Sequence, residues 1–303
     1  MDAWLMGSLA CPLALCLDLV LGDPPDRWHP VAWCGRAMGV MAGVWDPPRS
    51  PASDLVVGAL TVAVGFSVLA MVCYPLHSIP WVGDALVLWV CTAVRGLVEH
   101  VRAVRVALER GDLEGAREAV GSLVSRDTAG LGPGLVASAA AESAFENVLD
   151  SVVAPMFWFV MGGWIGVVMY RAVNTADAMF GYRDERNIWF GKVAARLDDL
   201  MNVVALPFCV VVLGLACPVR PGRLVGTLVE ALRSVPSPSS WLPMGWGAAF
   251  LGRRFEKPSV YSFGPDGYPE VRDLVETERA VVRCGIVSAV LAGFLFLILR
   301  WSP

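Results

Sequence analysis

The sequence predicts an all-α, polytopic integral membrane protein with about four to six membrane helices. Hydrophobic residues make up 56% of the 303 residues and charged residues only 17%. The mean hydropathy of +0.57 is also higher than ordinary soluble domains show. Nearly uncharged runs long enough to cross a bilayer recur along the chain, at about 4–22, 55–77, 79–94, 151–170, 200–219 and 280–299.

The distribution of lysine and arginine predicts how the chain is oriented in the membrane. None of the 24 cations occurs before Arg27, and none lies between Arg49 and Arg95. Cytoplasmic loops carry the excess of Lys and Arg, so we expect the N-terminus and the turn at 74–81 to lie outside. The loops 23–54 and 95–150 are then cytoplasmic, and we expect the active site to face the cytoplasm from the inner cell membrane.

Two of the membrane segments, 151–170 and 200–219, are expected to be re-entrant or kinked. If both crossed fully, the Arg-rich loop 171–199 between them would fall outside the cell, against the positive-inside rule. Broken helices are tolerated at membrane depth where they are buried in protein or line a cavity. Residues that interrupt helices occur in both segments, at Pro155, Gly162, Gly163, Pro207 and Pro218.

Two less apolar regions complete what we predict to be a single domain, 1–303. The region 95–150 is expected to be a cytoplasmic helical insertion, in which Gly111 and Asp112 break and cap the helices. The region 218–279 is expected to be an irregular loop region, because turn-forming residues recur in it, at Pro236, Pro238, Pro243, Pro258, Gly264, Gly267 and Pro269.

The charge and cysteine patterns exclude several classes of function. The net charge is only -4, and no basic block interleaved with aromatic residues indicates a nucleic-acid partner. The eight cysteines lie mostly in apolar runs without a C-x-x-C pair, so neither a disulfide framework nor a zinc site is predicted. His29, His77 and His100 are too scattered to indicate a metal cluster.

A candidate active site lies within 142–202, where carboxylates, arginines and amides recur at helical spacing. Glu142, Glu146 and Asp150 are four residues apart, so on a helix they share one face. Three like charges in a row need cations such as Mg²⁺ or arginine, or a raised pKa. A solvated helix face is the alternative interpretation, but the uncharged segment that follows directly favours a functional one.

Two further polar triplets suggest a cavity between opposing helices, in which arginines hold phosphate or carboxylate and acids hold Mg²⁺. Salt bridges that join membrane helices are the alternative. Weaker signals are an Arg-Asp-Thr motif at 126–128, which precedes a Gly-rich turn able to meet an anion, and the proline-rich turn at 22–30. No phosphate-binding loop of the G-x-x-x-x-G-K-[ST] type is present. The two triplets are Arg171, Asn174 and Asp177, and Arg196, Asp199 and Asn202.

In their order and spacing, these motifs resemble the adenosylcobinamide-phosphate synthase family of cobalamin biosynthesis, also called CobD/CbiB. The resemblance covers most of the chain. One departure is the stretch 237–243, which keeps only part of the family's Ser-Pro-Asn and Gly-Trp-Pro motif. The matching motifs are Leu17-Asp18-Leu19 with Gly22-Asp23-Pro24, His29-Pro30-Val31 with Gly35-Arg36, Arg126-Asp127-Thr128, 142–150 with Ala154-Pro155, 170–177, Gly181-Tyr182-Arg183 with Glu185-Arg186, 194–202, 248–251 and 257–261.

The resemblance implies an ATP-dependent amide ligase. It would join a propionate carboxylate of adenosylcobyric acid to aminopropanol or aminopropanol phosphate, which gives adenosylcobinamide or its phosphate. Mg²⁺ and ATP are implied as requirements and the corrinoid as substrate, with the lipid bilayer and other membrane enzymes of cobalamin assembly as partners.

The resemblance and the spacing together select the candidate site residues. The candidates for catalysis and for binding Mg²⁺ are Glu142, Glu146, Asp177 and Asp199. The candidates for binding substrate or phosphate are Asp23, His29, Arg126, Asp127, Thr128, Asn147, Asp150, Arg171, Asn174, Arg183, Arg186, Arg196 and Asn202.

Two other functions fit the residues alone. One is a Mg²⁺-dependent membrane transferase of the prenyl or phospho-alcohol type, although such enzymes generally carry denser acidic clusters than Asp198-Asp199. The other is a permease for corrinoids or small solutes, in which intramembrane charges form the substrate pathway. No inverted repeat is evident in the sequence to support it.

Overall fold

The structure is a computed structural model that describes residues 3–46, 50–80, 82–124, 126–182 and 184–300. The chain forms two compact units. The first unit comprises Met1–Ala93, Ala154–Ala205 and Ala289–Pro303, and the second comprises Val94–Val153 and Leu206–Ser288. Both are built almost wholly from helices, which confirms the predicted all-α class.

The helices that lie before residue 149 are α1 (Ala3–Leu21), α2 (Pro30–Val44), α3 (Pro51–His77), α4 (Gly83–Cys91), α5 (Val94–Glu109), α6 (Leu113–Gly121) and α7 (Pro133–Val148). A π-helical turn, Leu149–Val153, follows. The later elements are α8 (Ala154–Phe180), α9 (Asn187–Phe190), α10 (Lys192–Ala216), α11 (Pro221–Ser234), α12 (Trp241–Leu251), β1 (Phe255–Lys257), β2 (Tyr261–Phe263) and α13 (Val271–Arg300).

Four helical segments of the described chain are long and apolar enough to cross a membrane. A shorter apolar helix, Gly7–Leu21, lies in α1. The protein is therefore a multi-pass membrane protein, as predicted. The four segments are Pro51–His77, Pro133–Phe180, Lys192–Ala216 and Val271–Leu299.

The prediction that 79–94 crosses the membrane is wrong. In the described part of this run, Val94 already belongs to α5, and the other helical residues are the nine of α4. At about 1.5 Å per residue they extend about 14 Å, less than half of the roughly 30 Å hydrocarbon core. The helix ends because Thr92 adopts an extended conformation with φ -114° and ψ 159°.

The predicted break in 151–170 is present at Gly163, whose φ of 63° and ψ of -152° interrupt α8. The π-helical turn ends at Val153, two residues before Pro155. Proline has no N–H to donate, and its ring would clash with an ordinary helical turn before it. The second segment forms one continuous helix, α10, which contains Pro207 and ends before Pro218, and its re-entrant or kinked path stays a prediction.

We expect Gly163→Ala to destabilise the protein by about 1–3 kcal/mol, because only glycine readily adopts this combination of φ and ψ. Gly162→Ala is the matched control. A methyl group there meets no atom within 4 Å, and the backbone of Gly162 does not have a positive φ. Thermal unfolding in detergent should show a lower midpoint for the first variant alone. Equal midpoints for the two variants would contradict the interpretation.

Two of the expected loops contain helices. The segment 171–199 is helical to Phe180, in the short α9 and again from Lys192. Its first part continues α8 because the chain has no Pro or Gly between Tyr170 and Gly181. The segment 23–54 contains α2, which starts with Pro30 at its first position, where proline is well tolerated.

The region 95–150 contains the predicted helical hairpin, formed by α5 and α6. Gly111 (φ 72°) separates the two helices. Asp112 caps α6, because its side chain accepts a hydrogen bond from the Gly115 N–H at 2.9 Å. The expectation of an irregular region at 218–279 is wrong for 221–234 and 241–251, where α11 and α12 form, whereas 235–240 and 252–270 contain no helix. Pro221 begins α11, and Gly252 ends α12 in the left-handed conformation (φ 66°). These residues start and stop helices there. The short hairpin β1–β2 follows, with Phe255 opposite Phe263.

Candidate active site

Glu142 on α7 is a buried carboxylate of the second unit that accepts four hydrogen bonds from described residues. The Ser138 hydroxyl, one turn earlier on α7, donates at 2.6 Å and the Tyr261 hydroxyl donates at 2.9 Å. The backbone N–H of Glu256 donates at 3.1 Å and the Arg126 guanidinium at 3.4 Å. Glu142 is only 3% exposed, and a buried charge requires such compensation. Its oxygens are therefore already occupied by protein donors.

The hairpin holds its part of this cluster through backbone pairing. Lys257 lies directly opposite Tyr261 in the register of the two strands, so the hairpin places both side chains beside α7. The Glu256 N–H also donates to the Ser138 hydroxyl at 2.9 Å. Burial, together with the charge of Glu142, raises the pKa of Tyr261 well above its usual range. The phenol therefore stays protonated and keeps donating.

Glu146 lies one turn further along α7 and lines a cavity of about 140 Å³ within the second unit. The Ser240 hydroxyl donates to Glu146 at 2.7 Å. Lys257 and Arg126 line the same cavity, and Lys257 has no ion-pair partner among the described residues. The cavity thus combines a carboxylate that can accept a proton with two cations that can hold an anion. Its other lining residues are Leu123, Val124, Ala139, Glu142, Ser143, Asn147 and Tyr261.

The first unit contains a separate chain of hydrogen bonds between α8 and α10. The Asn174 amide donates to Asp198 at 3.1 Å, and the Asn202 amide donates to the other oxygen of Asp198 at 2.9 Å. The Tyr170 hydroxyl donates to the side-chain oxygen Oδ1 of Asn202 at 2.9 Å, and the Arg171 guanidinium donates to Oδ1 of Asn174 at 3.3 Å. Asp198, which we did not select from the sequence, accepts from both amides.

Arg196 and Asp199 instead line a cleft of about 340 Å³ within the first unit, together with Lys192, Asn187 and Tyr182. The Lys192 ammonium lies 4.0 Å from the centre of the Trp189 ring. Within the described parts of the chain, neither Lys192 nor Arg196 has an ion pair. Two cations without a carboxylate partner make this cleft a candidate site for phosphate or carboxylate groups.

Several predicted binding residues have local structural partners. Asp127 accepts from the N–H of Ala129 at 3.0 Å, and the Thr128 hydroxyl donates to the Arg117 carbonyl at 3.1 Å. The Asn147 amide donates to the Ser143 carbonyl at 2.9 Å. These contacts order the chain before α7 and on it, while Asn147 also lines the Glu146 cavity.

The remaining predicted residues are spread over both units. In the first unit, Asp23 lies exposed in the turn after α1 and Asp177 lies half-buried on α8, while Arg186 forms an ion pair with Asp46 at 3.5 Å. In the second unit, Asp150 lies in the π-helical turn. Arg183 lies outside the described residues.

His29 has a structural role that its predicted binding role did not anticipate. Its Nδ1 accepts from the Val31 N–H at 3.2 Å and so caps α2. Burial lowers the pKa of His29, although the charge of Asp23 opposes this effect. A neutral imidazole can accept this hydrogen bond, whereas a protonated one cannot.

The candidate Mg²⁺ ligands are divided between the units. Glu142 and Glu146 belong to the second unit, whereas Asp177 and Asp199 belong to the first. Among the described residues, no group of three or more His, Cys, Asp or Glu side chains is arranged to hold a metal ion. Each unit supplies two of the predicted acids, and Mg²⁺ binding by these residues stays a prediction.

The fold and its polar clusters define a multi-pass membrane protein in which carboxylates, amides and cations are grouped at cavities that suit anionic ligands. A family model described as CobD/Cbib protein matches residues 11–286. The chain belongs to this family.

Curated relatives support the assignment over nearly the whole chain. The protein is 41% identical over 271 residues to the probable cobalamin biosynthesis protein CobD of Thermococcus kodakarensis, covering 88% of each chain. It is 35% identical over 300 residues to the cobalamin biosynthesis protein CobD of Mycobacterium tuberculosis, covering 95% of this chain and 94% of the relative. No solved structure matches the chain.

Proposed function

We propose that the protein is an ATP-dependent amide ligase of cobalamin biosynthesis. It joins a propionate carboxylate of adenosylcobyric acid to the amine of aminopropanol or aminopropanol phosphate, at the cytoplasmic face of the cell membrane. The names of the relatives support the pathway. The main structural support for this reaction is the cavity that brings Glu146 together with Arg126 and Lys257.

The proposed reaction requires activation of a poor electrophile. A propionate oxygen attacks the γ-phosphorus of ATP, the bond from that phosphorus to ADP breaks, and an acyl phosphate forms. The amine nitrogen then attacks the acyl carbon, and the bond from that carbon to the phosphate oxygen breaks, which releases inorganic phosphate. The attacking nitrogen must also lose a proton, so the site needs both a base and groups that bind anions.

Glu146 is the residue we assign as the base. It lines the cavity and accepts only one hydrogen bond among those that the described residues make to its side chain, from Ser240. Arg126 and Lys257 would bind the carboxylate or the transferring phosphoryl group and stabilise its charge. Glu142 has a positioning role, because it accepts from both Arg126 and Tyr261 and so fixes the two sides of the cavity.

The acids of the cavity are compatible with Mg²⁺ that arrives together with ATP. Mg²⁺ is commonly bound through one or two carboxylates, several waters and substrate phosphates. Because Glu146 is assigned as the base and the oxygens of Glu142 already accept four hydrogen bonds, such a metal would be held chiefly by the phosphates of ATP and by water. When bound, Mg²⁺ supplies charge neutralisation for the phosphoryl group.

The direct test is a reaction of the purified protein in lipid nanodiscs with adenosylcobyric acid, ATP and Mg²⁺. Parallel reactions contain aminopropanol or aminopropanol phosphate, which also identifies the preferred amine. We expect one phosphate released for each amide formed, with the product identified by mass spectrometry and absent when ATP is omitted. Corrinoid binding without amide formation under any of these conditions would contradict the ligase function and favour a permease.

We expect Arg196→Ala to weaken the binding of ATP or aminopropanol phosphate by roughly tenfold to hundredfold. The loss of one hydrogen bond to a charged group is worth about 1.5–3 kcal/mol, and about 1.4 kcal/mol corresponds to a factor of ten. Titration calorimetry with each ligand separately would measure the effect. Arg110→Ala is the control, because Arg110 is also exposed. Equal affinities in both variants would show that the cleft of the first unit does not bind phosphate.

A further inference from the structure

Helix α11 presents a narrow apolar face that the described residues leave open to the surroundings. Val225 is 62% exposed, Val229 is 40% exposed and Leu232 is 56% exposed. At about 100° per residue, these three side chains fall within an arc of about 60°. Three large apolar residues aligned in this way form a surface, here called the α11 apolar stripe. Such exposed apolar surfaces are typical of sites that contact protein or membrane.

The other faces of α11 show that the stripe is one of three distinct sides. Thr227 and Ala231 are buried on the side that faces α12. There the two helices approach closely enough that a Cβ added at Gly245 would lie 2.9 Å from the Ala231 Cβ. The polar side carries the exposed Arg233 and Glu230, which accepts from the Gly264 N–H at 2.9 Å. One side of α11 is therefore packed against α12 and a second side faces water. The α11 apolar stripe is the third side.

The position of α11 in the chain indicates what covers the stripe. The helix follows the membrane-spanning α10 after the short connection 217–220, so it begins close to the bilayer surface where α10 ends. The last turns of α10 also expose apolar side chains, with Val211 at 49% and Leu215 at 62%. The 14 residues of α11 extend only about 21 Å, too short to cross the roughly 30 Å core.

We propose that α11 is an interfacial helix that lies in the plane of the bilayer surface, with the α11 apolar stripe inserted between lipid headgroups and acyl chains. A helix with one apolar side towards lipid and a charged side towards water is typical of such segments. Arg220 and Arg233, near the two ends of the helix, are cations that can reach the headgroups. The lipid surface is the partner of this face.

Spin labels on the full-length protein test the proposal. Val225→Cys, Val229→Cys and Leu232→Cys are labelled separately in a Cys16→Ser background, because Cys16 is the exposed one of the eight cysteines. Arg233→Cys is the control on the same helix. Each protein is reconstituted into vesicles of phosphatidylcholine and phosphatidylglycerol, and the collision rate of the label with oxygen is compared with that of a water-soluble nickel chelate.

At the three stripe positions, we expect the collision rate of the label with oxygen to exceed that with the chelate severalfold. At position 233 the collision rate with the chelate should be the higher of the two. Chelate accessibility at the stripe equal to that at position 233 would overturn the proposal and place the stripe in water. Low accessibility to both reagents, with dipolar broadening between labels, would also overturn it and identify a second copy of the chain as the partner. Elution of each labelled protein as a single peak in size-exclusion chromatography shows that the comparison is made on folded protein.

Discussion

Glu146→Gln is expected to reduce amide formation by about 10²–10⁴-fold, the usual contribution of a general base. Glutamine keeps the size of the side chain and an oxygen that can accept from the Ser240 hydroxyl. It cannot take up the proton that the amine must lose. The corrinoid should still bind, because Arg126 and Lys257 remain in the cavity. Steady-state kinetics should therefore show a loss in kcat with a much smaller change in KM.

Glu118→Gln is the matched control for this variant. Glu118 is exposed on α6, so the same chemical change there should leave turnover and membrane insertion as in the wild type. Turnover of Glu146→Gln within a few-fold of the wild type would remove Glu146 as the base. A raised KM with an unchanged kcat would instead assign it to substrate binding.

The features that the sequence predicted are those that depend on local signals. Long uncharged runs identified the membrane helices, and Gly162-Gly163 located the break that the structure places at Gly163. The prediction of a membrane helix at 79–94 is wrong, because hydropathy carries no information on the extended conformation of Thr92 that ends α4. Pro243 predicts a loop, yet it lies in the first turn of α12, where the missing N–H of proline breaks no helical hydrogen bond.

The candidate site shows the same division between local and long-range information. Helical spacing placed Glu142 and Glu146 on one face of α7, but most of their partners come from distant parts of the chain. Ser240 is 94 residues from Glu146, and Tyr261 is 119 residues from Glu142. A single sequence does not record such pairings. The motif at 257–261 was visible only as part of a family resemblance, without a partner.

The choice between Asp198 and Asp199 also depended on tertiary structure. Neighbouring residues on a helix point about 100° apart, so only one of the two can face Asn174 on α8. The pattern of Arg196, Asp199 and Asn202 favoured Asp199. The structure shows Asp198 between the two amides and Asp199 at the cleft. The rotation of α10 against α8 decides this, and helical periodicity does not fix it.

Glu142→Gln is expected to loosen the hairpin β1–β2 rather than to remove a reacting group. One carboxylate oxygen becomes an NH₂ group, which itself donates and therefore cannot accept from Arg126 and Tyr261 or from Ser138 and Glu256. Arg126, with a side chain only 10% exposed, also loses its charged partner. Breaking one side of a buried ion pair costs about 3–5 kcal/mol. If that cost falls on local opening, amide exchange across β1 and β2 should accelerate by roughly 10²–10³-fold.

Hydrogen exchange followed by mass spectrometry separates this positioning role from a catalytic one. Glu118→Gln again serves as the control, and exchange in the α5–α6 hairpin should stay unchanged in both variants. Turnover of Glu142→Gln should fall because Lys257, which lies on β1, is no longer held at the cavity. If turnover is lost while exchange at β1 and β2 matches the wild type, the positioning role is wrong. Glu142 would then act on the substrate or its metal directly, as its place in the acidic triplet of Glu142, Glu146 and Asp150 indicates.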